Sequence, residues 1–279
     1  MNAPLATERR WRARLALEYA AGGARTYLRR REHAGPLLVQ RSFHPEPGGV
    51  CHSYLLHPPS GLVGGDSLEL DVTLTAGAAV LLTTPAATKF YRSAGDTARL
   101  AQRLRLDAGA SGEWLPQENL LYDGARAAIV TSIDLAASAR FIGWEIACFG
   151  RPACDEGFAR GHADTRLELR RDGRPLVLER LRVDGEPAAR GAGLRGHAVS
   201  ATLVAVGDDE AAIGEALARA RALEPREALG GVTLVAGVLI CRALAAHTAP
   251  VRAWFEALWA ELRPLLLGRP AVAPRIWAT

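Results

Sequence analysis

Hydrophobic and polar residues alternate with a short period over most of this chain, in brief runs separated by Gly, Pro, Asp and Asn. From about residue 37 to residue 206 the pattern is period-two or wholly apolar, which is the signature of strands. Strands are predicted over 68–74, 79–84, 100–106, 129–135, 141–149, 176–183 and 199–206. Turns are expected at Ala76-Gly77, 107–109, Asp123-Gly124, Asp172-Gly173 and Asp184-Gly185, where glycine and short polar side chains tolerate a reversed backbone.

Near the end the period lengthens to that of a helix. One helix opens at Asp208 or Asp209 and runs to about Leu223, ahead of Pro225, with Ile213, Leu217 and Leu223 at helical spacing. A second opens with Thr248 as its N-cap and Pro250 in its first turn, and places Val251, Trp254, Phe255, Leu258 and Leu262 on one apolar face. A single strand over 232–241 is expected between them. The fold class is therefore mainly β (α+β), packed β-sheets with a pair of C-terminal helices. With no internal repeat, low-complexity tract or long linker in view, one domain is expected over 1–279: strand-rich 11–206, helix-strand-helix 207–267 and a tail from 268.

Composition excludes several functions. The 279 residues are 49% hydrophobic, enough for a large core, yet no uncharged apolar run is long enough to span a membrane. Residues 1–14 alternate Arg with Ala and Leu where a secretory leader would be apolar, so a cytoplasmic location is expected. Cys51, Cys148, Cys154 and Cys241 are far apart, which favours free thiols over disulfides or a zinc site. A net charge of +4 spread along the chain, with aromatics at 6%, does not make the dense basic surface of a nucleic acid binder. Lys89, the only lysine, follows Pro85-Ala86-Ala87-Thr88, so no phosphate-cradling G-x-x-x-x-G-K-[ST] loop is present.

Strand phase singles out three carboxylates. Asp66 is in phase with Leu68, Leu70, Val72 and Leu74; Glu145 with Phe141, Ala147 and Phe149; Glu179 with Val177, Leu181 and Val183. Each should face the interior, where an ionised group needs a partner or a raised pKa. Two readings stay open: structural ion pairs with arginine, or oxygen ligands along a polar passage for a divalent cation. His44, His52 and His57 cluster around Cys51, but in an extended segment His52 and His57 face opposite ways and cannot close on one metal. Thr83 to Ser93 gathers hydroxyls, Lys89, Arg92 and two aromatics without a catalytic motif, and is read as a turn at Pro85 with surface charges.

Several stretches, in order along the chain, resemble the UreD (UreH) family of urease accessory proteins: Gly35-Pro36-Leu37, Cys51-His52, Tyr54 through Pro59, Leu62 to Asp66, Thr83-Thr84-Pro85, Lys89 through Ser93, Glu113 through Glu118, Trp144-Glu145, Gly150-Arg151-Pro152, Glu179-Arg180-Leu181 and Pro274 through Trp277. The region from about residue 183 to 264 is less distinctive, and Ser60 and Tyr122 depart from the glycine and phenylalanine usual there. The resemblance implies a non-catalytic maturation chaperone that works in a complex with UreF and the GTPase UreG and docks on the urease apoprotein. It implies no tightly bound cofactor but nickel in transit through an internal tunnel, whose polar lining matches Asp66, Thr88, Glu145 and Glu179, with Glu118 a weaker addition. The rival function is a metal-dependent hydrolase in which the same carboxylates, with His52 or His57, converge on one water-activating metal. A passage and a cluster are distinguished by geometry.

Overall fold

Strands with one apolar face must pair that face with another sheet, and here the chain does so by coiling. The computed structural model describes residues 10–185 and 193–278. It opens with the antiparallel hairpin of β1 (Arg12–Gly22) and β2 (Arg25–Ala34), followed by the short β3 (Leu38–Val39). Four coils follow. The first is β4 (Cys51–Leu56), β5 (Gly61–Leu62) and β6 (Ser67–Leu74); the second is β7 (Ala79–Thr83), β8 (Thr88–Phe90) and β9 (Ala98–Leu106). The third is β10 (Ser111–Trp114), β11 (Asn119–Leu121) and β12 (Arg126–Leu135), and the fourth is β13 (Arg140–Phe149) and β14 (His162–Arg171).

Corresponding strands of successive coils lie side by side and parallel. Cys51 stands beside Val80, Val80 beside Gly112, and Gly112 beside Phe141. Parallel neighbours need a long crossover, usually a helix; here the crossover of each sheet is a strand of the other. β6, β9, β12 and β14 thereby form the centre of one sheet, and β4, β7, β10 and β13 the centre of the second. β5, β8 and β11 make a narrow parallel ribbon at one corner. The coil is a structural repeat that the residues do not announce, because each strand repeats an apolar phase and not an identity.

Antiparallel strands complete both sheets. β15 (Arg174–Asp184) pairs with β14 at one edge of the first sheet, and the β1–β2 hairpin closes the other. The second sheet extends from β13 through β16 (Val199–Val206), with α1 (Glu210–Ala222) leading into the hairpin of β17 (Ala228–Val235) and β18 (Val238–Ala245), and then α2 (Thr248–Leu267). Inward side chains stack in ladders along the coil: Leu68, Leu100 and Ile129 in one, Val72, Leu104, Ile133 and Leu169 in another. Both helices cover the outer face of the second sheet, so its strands β13 and β16 are buried on both sides. This explains why 141–149 is apolar in both phases.

Each strand predicted between 68 and 206 forms, with ends moved by at most a few residues, and the first helix is capped by Asp209, whose carboxylate accepts from the Ala211 amide at 2.9 Å. Strands begin at Arg12, ahead of the clear period-two pattern from residue 37, because β1 and β2, like β14, fill their outward positions with Arg and Glu, which dilutes the apolar signal. Three expectations are corrected. The single strand over 232–241 is a hairpin that turns at Ala236-Gly237 with φ of 50° and 76°, a reversed turn for which alanine gives no cue. The cap of α2 is the extended His247, with no side-chain hydrogen bond to the helix, and Thr248 is already helical. Residues 88–90 are a strand of the corner ribbon with Phe90 fully buried, so the segment after Pro85 is more than a surface turn. Ser60, at a position usually glycine in the family it resembles, has φ of 60°.

A wholly buried ion network fixes α2 to the second sheet. Arg263, 0% exposed, donates to Glu46 at 2.7 Å through both terminal nitrogens and to Glu113 of β10 at 2.9 and 3.0 Å. Trp259 also donates to Glu113, at 2.7 Å, and the His52 ring meets Glu46 at 2.6 Å. Trp277, near the C-terminus, donates to the Thr83 hydroxyl at 2.9 Å and stacks against Trp144 and Trp259. Burial alone would push Glu46 up, but the hydrogen bonds from His52 and Arg263 outweigh it and bring its pKa from 4.5 down to about 2.

Arg263→Met strands two carboxylates in an apolar interface, and we expect a loss of about 3–5 kcal/mol in urea denaturation; a loss below 1 kcal/mol would show the network to be dispensable. A carboxylate depressed in the folded state stabilises above its unfolded pKa and loses that contribution as the pH falls. Stability of the native chain should therefore decline between pH 4.5 and about 2, and a Glu46→Gln variant should show a shallower decline in acid titration.

Candidate functional site

Most inward positions of the first sheet are aliphatic, and one row breaks that pattern in its middle. Leu70 stands beside Gln102, Gln102 beside Thr131 and Thr131 beside Leu167, which places two polar side chains in the middle of a buried apolar row. Gln102 donates through Nε2 to the Thr131 hydroxyl at 2.8 Å, and that hydroxyl donates at 2.8 Å to Oε1 of Glu145, which projects inward from β13 of the opposite sheet. The same oxygen accepts from Trp114 Nε1 at 2.9 Å, and Oε2 accepts from Asn119 Nδ2 at 3.4 Å. Among the described residues Glu145 is thus held from three elements, β10, β11 and β12, through neutral donors. Burial pushes its pKa up, and the hydrogen bonds from Trp114 and Thr131 offset only part of that rise.

Glu145 borders a cavity of about 680 Å³ between the sheets, where β14 and β15 diverge from β16, β17 and β18. Glu179 lines it too. From β15 it accepts from Arg242 Nε of β18 at 2.8 Å and from the Thr202 hydroxyl of β16 at 3.0 Å, so it ties the two sheets together near the mouth. Arg166 and Arg180 at the rim both bind Asp164, whose pKa is lowered chiefly by the Arg180 hydrogen bond. Leu178 and Leu229 leave the mouth apolar and exposed.

The three phase-selected carboxylates therefore meet three different environments. Glu179 has the arginine that an ordinary ion pair requires, and Glu145 has none. Asp66 is 4% exposed, as its phase predicts, but both of its oxygens hold backbone: Oδ1 accepts from the Trp11 amide and Oδ2 from the Val63 amide, each at 2.9 Å. That arrangement fixes a turn and the start of β1. Thr88 lies in the corner ribbon opposite Asn119, and its amide donates to the Glu118 carbonyl at 2.9 Å. The Glu118 charge acts on Cys148, adding to the burial that lifts this thiol to about 12. Neither Thr88, Glu118 nor Asp66 borders the cavity that holds Glu145 and Glu179.

The remaining candidates do not converge. His52 is spent on Glu46, and the His44 ring bonds the Thr26 carbonyl at 2.6 Å. Both ring nitrogens of His57 are buried without a hydrogen bond, and burial lowers its pKa despite the nearby Asp66 charge. Burial also raises the pKa of Cys51 and lifts Cys241 to about 12, so neither offers a thiolate near neutral pH. Among the described residues no three of His, Cys, Asp and Glu come together as a metal-binding group. No described helix is long and apolar enough to cross a membrane. Gln102, Thr131, Trp114 and Asn119 escaped the sequence reading, although Gln102 and Thr131 obey the same parity rule that selected Glu145.

Glu145 destabilises the fold wherever it is ionised. Since its folded pKa is raised, Glu145's own contribution to stability is most favourable in acid and declines as the pH climbs from the ordinary carboxylate range through the raised pKa. Glu145→Gln keeps the shape, and Asn119 can turn its carbonyl to the new amide. We expect the variant to melt higher than the native chain at pH 8, with the gap closing toward pH 5; a variant less stable at both pH values would mean that the ionised carboxylate is a structural asset.

Residues 12–278 match the family described as UreD urease accessory protein. The chain is 48% identical to the urease accessory protein UreD of Azoarcus sp. (strain BH72), over 96% of this chain and 94% of that one. It is 44% identical to the UreD of Alkalilimnicola ehrlichii and 46% identical to that of Pseudomonas aeruginosa, over 96% of this chain and 92% and 95% of theirs.

Proposed function

The chain belongs to the UreD family of urease accessory proteins, and from that premise we propose that it is a non-catalytic cytoplasmic scaffold that joins UreF and UreG, docks on the urease apoprotein and conducts nickel toward its active site. A role in urease maturation follows from the family. The conduit is our reading of the site, and one observation carries it: Glu145 is a carboxylate set between two sheets, at a cavity, with no cationic partner.

Such a group lacks half of its charge balance. A divalent cation passing through the cavity supplies it, displacing the proton that burial otherwise retains. Oxygen ligands suit this purpose because they bind nickel less tightly than thiolate and imidazole sets do, and a carrier must release its cargo. Nickel here is cargo, and no resident metal is needed. Glu179 serves at the mouth, where its bond to Arg242 keeps the sheets in register and offers a carboxylate that a cation can compete for. Asp66 stands apart from the cavity with its oxygens taken by backbone amides, so in this reading it fixes a turn and does not meet the cation. Thr88 and Glu118 would act, if they line the route, beyond the cavity and through the corner ribbon. The exposed apolar rim of Leu178 and Leu229 suits a protein partner that seals the mouth from water.

The test is co-expression of urease structural subunits and accessory partners with the native chain, with Glu145→Gln, or without the chain, followed by nickel analysis and urea hydrolysis of the purified urease. We expect urease made without the chain to be nickel-poor and inactive, and the variant to lower nickel content several-fold while the partners still co-purify. Normal loading with the variant would remove Glu145 from the route, and normal loading without the chain would remove the proposal altogether.

A further inference from the structure

At the corner ribbon, successive coils each place one arginine at the same end. Arg92 follows β8, Arg126 opens β12, and Arg160 precedes β14, and the three line a pocket of about 270 Å³ with Ser93, Ala94, Gly95 and Gly124. Arg92 bridges Ala125, next to Arg126, and Arg126 stands beside His162, two residues after Arg160, so three like charges share this corner. Nothing in the packing of the core demands that, since all three side chains lie on the outside of the coil.

Only one of the three is neutralised. Arg160 binds Asp123, which accepts from its Nε and its backbone amide, each at 2.9 Å, and holds it in place. The Arg160 hydrogen bonds keep Asp123 below the usual carboxylate range. The other acids around the corner are engaged elsewhere: Asp96 with Arg10, and Glu156 with Arg151 and the Asp123 amide. Arg92 and Arg126 pair with no carboxylate among the described residues, and the Nε of Arg126 is buried with no hydrogen-bond partner. Arg92 lies across Gly124, which has φ of 78° and where an added Cβ would stand 3.0 Å from the Arg92 side chain. The surplus is two positive charges, presented by planar donor forks around a small concave site.

We propose that this corner is a binding site for a phosphate-class oxyanion. A dianion matches the surplus charge, guanidinium forks match its oxygens two at a time, and the pocket has room for a phosphate or its monoester and excludes larger polyanions from its floor. Arg126 supplies the buried donor, Arg92 the outer clamp, and the Arg160–Asp123 pair a fixed wall. The site is on the outer corner of the coil, apart from the cavity that holds Glu145, and does not depend on the nickel reading.

The probe is inorganic phosphate, titrated into the full chain at constant ionic strength against chloride, with melting temperature and calorimetric heat as readouts. We expect saturable binding that Arg126→Gln and Arg92→Gln each weaken at least tenfold, while Arg174→Gln, an exposed arginine of β15, leaves it unchanged. Phenyl phosphate then separates the sources: competition with inorganic phosphate assigns the site to a phosphoryl group carried on a larger molecule, and failure to compete assigns it to the free anion. A response that chloride reproduces, or one that survives both substitutions, overturns the proposal. Arg92 is exposed, so Arg92→Gln decides the matter even if Arg126→Gln does not fold.

Discussion

Parallel strands cannot be joined by a tight turn, and this chain meets that constraint by making each sheet the return path of the other. Most of the architecture follows. Residues roughly thirty apart become neighbours, inward side chains stack into continuous rows, and any polar residue placed in a row is surrounded by the rows above and below it. Gln102 and Thr131 are held in that way, and Glu145 from the facing sheet accepts the Thr131 hydroxyl. The corners of the coil obey the same rule, which is why three arginines distant in sequence come to share one pocket.

Two groups of buried carboxylates show how differently the fold treats negative charge. Glu46 and Glu113 are closed around Arg263 under a helix, with every strong donor aimed at them, and they behave as a structural rivet. Glu145 receives only neutral donors from Trp114, Thr131 and Asn119 and borders open volume. Packing has no use for the second arrangement, since a buried carboxylate without a cation costs stability that an apolar residue would not. In the conduit we propose, this is the place where a cation would be taken up and released. Glu179 stands between the two, paired with an arginine but near solvent.

Strand phase read most of the central sheets correctly because period two survives whatever the tertiary contacts are, and it turned Asp66, Glu145 and Glu179 toward the interior for the same reason. What phase could not supply was the partner. Arg242 is far from Glu179 in sequence, and Arg263 farther still from Glu46, so neither ion pair is visible in the spacing of the residues. The coil was invisible because its strands share a phase without sharing residues. Local chemistry misled at Ala236-Gly237, where alanine adopts a conformation it seldom takes, and at His247, which caps a helix with no side-chain bond. The family resemblance, not strand phase, singled out Thr88 and Glu118; the corner ribbon holds Thr88, and neither residue borders the cavity that holds Glu145.

The rivet has a temporal side. Arg263 lies 217 residues after Glu46 and 150 after Glu113. On a ribosome, the coils and both acids are complete long before the guanidinium that neutralises them has been synthesised. Until then the outer face of the second sheet is an apolar surface studded with unpaired charge, which resists premature burial against other chains as much as against its own helix. The last helix to be made is thus the latch, and a truncated product lacking it would keep both the exposed sheet and the unanswered carboxylates, a combination that quality-control proteases are suited to recognise.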